Sequence, residues 1–194
     1  MKAVLMSIQP KWSELIASGK KTVEVRKTKP KLETPFKVYI YCTSSNVHEC
    51  LMQNEGGVKM IYACNYKTAI PCGGHIANGK VIGEFVCDRI DNGILSKSYF
   101  VDSINIGYDQ TCVSIYEVAK YLDAYGACGM YEFYGWHISD LVIYDKPKEL
   151  REFKQCHKCE YYANCYEHEY SCDGVYNLVR PPQSWCYVEE LKGE

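Results

Sequence analysis

The first part of the chain carries a pattern of apolar and polar positions that predicts a strand followed by a helix. Residues Lys2–Ile8 are almost continuously apolar, which is typical of a buried strand. A helix is predicted to begin at Pro10, because the missing proline N–H costs nothing in a first helical turn. Gly19 suits the C-terminal cap of this helix. One helical face carries the apolar side chains Trp12, Leu15 and Ile16.

Residues 22–27 alternate in a way that predicts a second strand. Val23 and Val25 are expected to face one side of it. The other side carries the polar residues Thr22, Glu24 and Arg26. This alternation would gather charged side chains on a single strand face.

Further strands are predicted at residues 36–42, 80–90, 135–144 and 183–189. A second helix is predicted to begin at Ser114, since Glu117 completes a capping box with it, and to run to about Tyr125. Residues 43–78 have no clear periodicity and are interpreted as a long hairpin or loop excursion. The predicted core consists of Val4, Leu15, Val23, Ile40, Phe85 and Ile138.

Many short strands with two helices favour an α+β fold. A small closed β-barrel with flanking helices is the expected architecture, because closure removes exposed sheet edges. The chain has 194 residues, enough for one full domain and an appendage. We therefore predict a barrel domain over residues 1–150 and a cysteine-rich appendage over residues 151–194, with a final strand that returns to the barrel.

Charge is distributed unevenly along the chain. The net charge is −2, which excludes a general attraction to polyanions. One short stretch is nevertheless strongly basic and contains Lys20, Lys21, Arg26, Lys27, Lys29 and Lys31. Such a local patch suits a small or single-stranded nucleic acid ligand. The alternative is a solvated, lysine-bearing turn around Pro30.

Neither a signal-peptide core nor a membrane-spanning stretch is visible, so we expect a cytoplasmic protein without a membrane partner. Thiols stay reduced in that compartment. The 12 cysteines are therefore expected to be buried thiols or metal ligands rather than disulfides.

The most specific charged motif in the sequence consists of Lys21, Glu24 and Arg26. A lysine and an arginine around one carboxylate can bind an anion or a base edge, because the guanidinium offers a fork of donors and the carboxylate accepts from an exocyclic amine. The alternative is an exposed strand face with an ion pair worth less than about 1 kcal/mol.

These residues also carry a family resemblance. Residues 7–12 (Ser-Ile-Gln-Pro-Lys-Trp) and 19–26 (Gly-Lys-Lys-Thr-Val-Glu-Val-Arg) resemble the opening of the ASCH domains, whose signature is Gly-x-Lys-x-x-Glu-x-Arg. Residues 79–85 (Gly-Lys-Val-Ile-Gly-Glu-Phe) and 136–141 (Trp-His-Ile-Ser-Asp-Leu) are similar to a later barrel strand and to the strand that closes the cleft. The resemblance is greatest to ASCH proteins of gut Firmicutes and their phages.

The resemblance implies a PUA-like closed β-barrel that binds RNA or a modified nucleotide in the cleft holding the signature. It implies the ligand-binding residues Lys20, Lys21, Thr22, Glu24 and Arg26. From the aromatic residues near the late strand we add Tyr134, because a ring facing the cleft could stack on a base.

An enzyme is the second hypothesis. One branch of the ASCH family is an amidohydrolase acting on acetylated cytidine, and its lysine matches Lys21. Glu24 stands at its threonine position, and Asp109 is the nearest candidate for its distant glutamate. Other members are ribonucleases, but His75 and His137 are isolated in the sequence and indicate no acid–base pair.

The appendage contains four closely spaced thiols that suit a tetrahedral structural Zn²⁺ site. They are Cys156, Cys159, Cys165 and Cys172, with Cys186, His157 and His168 as alternative ligands. An iron–sulfur cluster uses the same thiolates, and a set of free thiols in a poorly packed tail is the remaining alternative. A zinc-tailed adaptor that binds a protein partner is therefore a third hypothesis.

Overall fold

A computed structural model of the chain describes residues 1–45, 49–55, 58–64, 74–96, 106–124, 129–156 and 175–191. The strands are β1 Lys2–Ile8, β2 Val23–Arg26, β3 Phe36–Cys42, β4 Glu49–Glu55, β5 Val58–Cys64, β6 His75–Ile76, β7 Lys80–Cys87, β8 Ile90–Leu95, β9 Tyr131–His137, β10 Ser139–Lys148, β11 Lys154–Cys156, β12 Val175–Asn177 and β13 Trp185–Glu189. The helices are α1 Pro10–Ala17, α2 Tyr108–Thr111 and α3 Ile115–Tyr121, and a 3-10 turn spans Leu150–Glu152.

The first helix begins and ends where the local chemistry predicts. Pro10 occupies the first turn of α1, and Gly19 follows the helix with a φ of +73°, in the left-handed region that favours glycine. Ile16 is fully buried against the core, whereas Leu15 is partly exposed. The expectation that Leu15 is a core residue is therefore wrong, because the helix presents the Ile16 side to the sheet.

The predicted capping box at the start of α3 is confirmed. The main-chain N–H of Glu117 donates to the Ser114 hydroxyl at 3.3 Å, and the N–H of Ser114 donates to the Glu117 carboxylate at 2.9 Å. The helix ends at Tyr121 rather than near residue 125. Asp123 then adopts a φ of +56°, which is not helical.

The strands form one large sheet and two small ones. The seven-stranded sheet has the order β10-β7-β3-β1-β13-β11-β12, and the three-stranded sheets have the orders β2-β9-β8 and β5-β4-β6. The central strand β1 pairs in parallel with β3 and antiparallel with β13. A strand with two neighbours and two covered faces is expected to be apolar throughout, and residues 3–8 of β1 are all buried.

Two of the predicted strands bend and pass from one sheet to the next. Strand β7 continues into β8, and β9 continues into β10, so the seven-stranded sheet and the β2-β9-β8 sheet share one long bent hairpin. At the bend, the N–H of Ile138 donates to the oxygen of Thr22 at 2.9 Å. The predicted strands at 80–90 and 135–144 are therefore each two strands joined by a corner.

The expected closed barrel is wrong in one respect, because the barrel remains open. Among the described residues, β2 has β9 as its strand partner and forms no ladder with β1 or β13. The strands therefore curve around the core and leave a gap between β2 and the β1–β13 pair. The fold is a mixed α+β structure, rich in sheet and with few helices.

The core comprises three buried clusters. The inner cluster, inside the curved sheets, includes Val4, Ile16, Ile40, Phe85 and Trp136, with Ile138 packed against it. The outer cluster covers the other face of the large sheet and includes Leu5, Tyr39, Phe153, Leu178 and Val188. The helix cluster lies under α3 and includes Val23, Val25, Val118, Leu122 and Phe133. Alternate residues of β1 thus pack into the inner and outer clusters, as a period of two requires, whereas Val23 and Val25 of β2 both pack into the helix cluster.

The C-terminal segment contributes to the large sheet. Strand β13 pairs with β1, and β11 pairs with both β13 and β12. Residues 157–174 lie between the paired strands β11 and β12 and are outside the described residues. That segment holds Cys159, Cys165, Cys172, His157 and His168. The division of the chain at residue 150 stays a prediction.

Within the described ranges, the His, Cys, Asp and Glu side chains form no group of three or more that could hold a metal ion. Of the predicted ligands, Cys156 ends β11 and is described by its backbone, and Cys186 packs against the outer cluster. No helix of the described part of the chain is long and apolar enough to cross a membrane.

Candidate functional site

The gap between β2 and the β1–β13 pair contains an open cavity of about 690 Å³. The end of β1, the first turn of α1, β2 and α3 form its walls. The lining residues are Ser7, Ile8, Gln9, Trp12, Lys21, Glu24, Val25, Arg26, Thr43, Val113, Glu117, Val118, Lys120, Tyr121 and Gln183. All three charged residues of the predicted motif therefore lie on one cavity wall.

Lys21 enters the wall from the turn between α1 and β2. Its side chain is 1 % exposed, and its Nζ donates a hydrogen bond to the main-chain oxygen of Thr111. The same Nζ lies 3.3 Å from Oε2 of Glu24 and 5.3 Å from the centre of the Trp12 ring. The ammonium is thus surrounded by a carbonyl, a carboxylate and an aromatic face, each of which stabilises a cation.

Arg26 lies at the other end of this network. Its Nη2 is 3.0 Å from Oε1 of Glu24 and donates a 2.8 Å hydrogen bond to the oxygen of Ser7. Its Nη1 contacts the hydroxyl of Ser184 at 3.4 Å. Glu24 therefore bridges two cations with its two carboxylate oxygens, and Arg26 connects the bridge to β1 and to the residue before β13.

Burial distinguishes this network from a surface ion pair. Glu24 and Arg26 are each 6 % exposed, so the alternative of a solvated strand face is wrong. Two cations and one anion leave the wall with a net charge of +1, and the low dielectric of a buried site strengthens that field. Nε of Arg26 is buried without a hydrogen-bond partner, and Oε2 of Glu24 has the Lys21 ammonium at 3.3 Å as an ionic partner but no hydrogen bond.

The rim of the cavity carries two aromatic rings, each beside a lysine. Nζ of Lys11 lies 4.3 Å from the Trp12 ring centre, and Nζ of Lys27 lies 5.2 Å from that of Tyr121. Lys11 also pairs with Glu117 at 3.4 Å. The hydrogen bond from the Ser114 main-chain N–H, reinforced by the Lys11 charge, lowers the pKa of Glu117.

The other predicted site residues lie away from the cavity wall. Lys20 and Thr22 are exposed, and the N–H of Thr22 donates to the oxygen of Gln110 at 2.9 Å. Tyr134 lies under Lys29, and its hydroxyl donates to Glu132. The structure thus brings Lys21, Glu24 and Arg26 together in the cavity wall. Lys20, Thr22 and Tyr134 do not line the cavity, although Tyr134 is the cross-strand partner of Arg26.

Asp109 and the two noted histidines are also separate from the motif. Asp109 is exposed in the first turn of α2 and does not line the cavity. His137 is not isolated in space, because its Nε2 lies 2.7 Å from Asp91 at the sheet corner, and Arg89 contacts the same carboxylate at 3.2 Å. His75 lies in the short strand β6.

Sequence reasoning missed several cavity residues. Trp12 and Tyr121 supply the aromatic surfaces that were expected from Tyr134, and Gln9, Thr43 and Gln183 supply polar groups. Trp12 was detectable, since it ends the matched segment at residues 7–12. Gln183 was not detectable, because its place beside the cavity depends on the pairing of β13 with β1.

Comparison with known proteins agrees with this architecture. The solved structures that resemble the chain include ASCH from Zymomonas mobilis, with 17 % identity, a TM-score of 0.53, and coverage of 97 % of this chain and 88 % of that one. They also include a tyrosine-to-phenylalanine variant of the same protein, with 17 % identity, a TM-score of 0.54, and coverage of 98 % and 92 %. At this identity the likeness shows the fold alone. No curated protein matches the chain.

The sequence itself matches a family model. Residues 6–98 match the model of the ASCH domain, a span that includes the motif on β2 and continues through β7 and β8. The narrower resemblance to proteins of gut Firmicutes and phages stays a prediction. Residues 6–98 therefore match the ASCH domain, and the fold of the chain is similar to that of the solved ASCH structures.

Proposed function

We propose that the cavity binds RNA or a modified nucleotide through Lys21, Glu24 and Arg26. The observation that carries the proposal is the burial of this charged network in the wall of an open cavity. Buried charges are costly unless they are paired, and such groups concentrate at functional sites. ASCH domains are typically RNA-binding, which supports the same class of ligand.

The charge arrangement favours a base edge over a phosphate at the inner wall. Lys21 and Arg26 already share the Glu24 carboxylate, so the network attracts a phosphate less strongly than two unpaired cations would. The carboxylate oxygens of Glu24 can each accept a further hydrogen bond, and Nε of Arg26 has no hydrogen-bond partner. A carboxylate acceptor and a guanidinium donor in one wall complement a base edge that presents an N–H group together with a ring nitrogen or a carbonyl oxygen.

The dimensions and the rim are consistent with a nucleoside. A volume of about 690 Å³ lies within the range of about 300–1,000 Å³ that is usual for small-ligand sites. Trp12 and Tyr121 line the same cavity, and an aromatic ring stacked on a base contributes about 1–3 kcal/mol. The base is therefore held from its edge by the network and from its face by a ring.

A hydrolase acting on a modified cytidine or on RNA is the alternative. A nucleophilic lysine reacts as the neutral amine, which a cationic or apolar environment favours. Lys21 instead donates to Thr111 and pairs with Glu24, contacts that stabilise the ammonium, and Asp109 does not line the cavity. These contacts favour a binding role for the lysine.

Titration calorimetry with the four ribonucleosides, acetylcytidine and a single-stranded RNA octamer tests the proposal. We expect Glu24→Gln to weaken binding of the preferred base by about tenfold or more, because one good base contact contributes about 1–3 kcal/mol. Glu189→Gln, on an exposed position of β13, is the matched control and should bind normally.

Two outcomes would count against a binding module. Failure of every ligand to bind, or equal affinity of the protein and Glu24→Gln, would remove the network from any recognition role. Release of acetate or cleavage of RNA in the same mixtures, lost in the folded Lys21→Arg variant, would establish the hydrolase instead, since arginine keeps the charge and cannot act as a nucleophile.

We also propose that Cys156, Cys159, Cys165 and Cys172 bind one structural Zn²⁺, or an iron–sulfur cluster, in the reducing cytoplasm. Support comes from the pairing of Cys156 with Val175, which brings the two ends of the cysteine-rich segment together. An ordered segment of this kind could serve an adaptor role by presenting a surface to a protein partner.

A further inference from the structure

Two ion pairs attach α3 to the rest of the domain, one at each end of the helix. Lys11 of α1 pairs with Glu117 in the first turn at 3.4 Å. Lys27, directly after β2, pairs with Asp123, two residues beyond the helix, at 3.1 Å. Asp123 follows Glu117 by six positions and lies beyond the last helical residue, Tyr121, so the two pairs hold opposite ends of α3.

Both lysines also lie beside residues that line the cavity. Lys11 lies over the ring of Trp12, and Lys27 lies over that of Tyr121. Two rings of the cavity lining therefore each have a cation next to them. This combination of a positive charge and a stacking surface is typical of sites that follow a single-stranded nucleic acid.

The carboxylate partners of these lysines are exchangeable. All four side chains are at least 43 % exposed, and exposed pairs of this kind contribute about 0.2–1 kcal/mol. A phosphate can replace Glu117 or Asp123 at little cost. The inner network cannot make such an exchange, because Lys21, Glu24 and Arg26 are buried and depend on one another.

We propose that the natural ligand is an internal nucleotide of a single strand, whose flanking phosphates are bound by Lys11 and Lys27. This inference rests on the proposed function of the cavity. The base enters the cavity and the backbone crosses the rim, where each phosphate displaces one carboxylate. A base within a duplex cannot enter, since its edge is paired and its faces are stacked.

Fluorescence anisotropy with three probes tests the strand path, by which we mean a single strand that crosses Lys11 and Lys27 with one base in the cavity. The probes are a mixed-sequence RNA octamer, the same octamer annealed to its complement, and the four nucleoside monophosphates. We expect the single strand to bind most tightly. Lys11→Ala and Lys27→Ala should each weaken octamer binding about two- to fivefold and reduce the slope of log K against log salt by about 0.7. A monophosphate carries a single phosphate, so its binding should weaken in no more than one of the two variants.

Asp123→Asn should change octamer binding in the opposite direction to the two lysine variants. Asparagine tolerates the positive φ of this position, so the turn is kept while the competing charge is removed. We expect tighter octamer binding in this variant, whereas a merely structural ion pair would give weaker or unchanged binding. Lys146→Ala and Lys154→Ala, on exposed positions of β10 and β11, are the controls and should leave the salt slope unchanged.

The outcomes distinguish failure of the strand path from failure of the nucleotide site on which it rests. If the monophosphates bind and Glu24→Gln abolishes that binding, but Lys11→Ala and Lys27→Ala leave the octamer slope unchanged, the strand path is wrong and the nucleotide site stands. Equal affinity for the duplex would also overturn the strand path. If no probe binds, both proposals are wrong.

Discussion

Arg26 donates a 2.8 Å hydrogen bond to the main-chain oxygen of Ser7, and this contact joins β2 to β1 where no strand ladder does. A closed barrel would bring these strands together through main-chain pairs. Here a guanidinium spans the gap and leaves room for the cavity beside it. Arg26, which we expect to bind a ligand, therefore also connects the strands on the two sides of the gap.

The first prediction concerns that double role. Arg26→Lys keeps the charge but loses the planar fork that reaches Ser7 and Glu24 together. We expect the free energy of unfolding to fall by about 1–3 kcal/mol, because buried acceptors are left unpaired. Urea denaturation measures the change. Arg180→Lys, at an exposed position, is the matched control, and equal losses in both variants would contradict the bridging role.

The second prediction concerns Glu24 as the shared counterion. Glu24→Ala leaves Lys21 and Arg26 buried without an anion, and breaking a buried ion pair in this way costs about 3–5 kcal/mol. Thermal and urea unfolding should show that loss, with Glu189→Ala close to the unmodified protein. A destabilisation below about 1 kcal/mol would mean that water reaches the two cations and that the network is not buried in solution.

The third prediction concerns acid sensitivity. The pKa of Glu117 is lowered, chiefly by the hydrogen bond from the Ser114 N–H. A folded pKa below the unfolded value of about 4.3 stabilises the protein above that pH, and the contribution is lost as the pH falls through the folded pKa. The stability difference between the protein and Glu117→Gln should therefore be largest near neutral pH and shrink below about pH 4. A difference that stays constant would show that the carboxylate charge is irrelevant.

The fourth prediction concerns close packing between β8 and β9. A Cβ on Gly93 would lie 2.3 Å from the ring of Phe133, a buried member of the helix cluster. Gly93→Ala should therefore destabilise the fold by about 1–3 kcal/mol, the usual cost of overpacking. Gly129→Ala is the matched control, since its nearest neighbour would be at an ordinary 3.6 Å. Similar melting temperatures for both variants would show that β8 and β9 can separate without cost.

The fifth prediction concerns the cysteine-rich segment. Elemental analysis of protein purified without added metal should find about one zinc per chain, and acid or a strong chelator should release it. Proteolysis after chelation should then cut within residues 157–174. The two fragments should stay associated, because β11 and β12 pair with each other and β13 pairs with β1.

Two results would contradict that prediction. Metal-free protein with an equally resistant segment would show that no metal orders it. Intact disulfides among the four cysteines under reducing conditions would show that the cysteines are bonded to each other and do not bind a metal. A cluster containing iron would instead favour the iron–sulfur alternative.

Local chemistry determined the elements that depend on neighbours in the chain. The bounds of β1 and β3, the start of α1 at Pro10 and the capping box of α3 follow from periodicity and from hydrogen bonds that span a few residues. The alternation along β2 likewise placed Glu24 and Arg26 on one face. Because these features require no knowledge of the rest of the chain, the sequence was sufficient to predict them.

Tertiary structure decided which of these features meet, because its contacts join residues far apart in the sequence. The main-chain oxygen that accepts the hydrogen bond from the Lys21 ammonium belongs to Thr111. Arg26 contacts the hydroxyl of Ser184, next to strand β13. The sequence by itself determined the charges of the motif. Their burial, the gap in the barrel and the choice of Trp12 over Tyr134 as a cavity ring depend on how strands and helices pack, and no local periodicity encodes that packing.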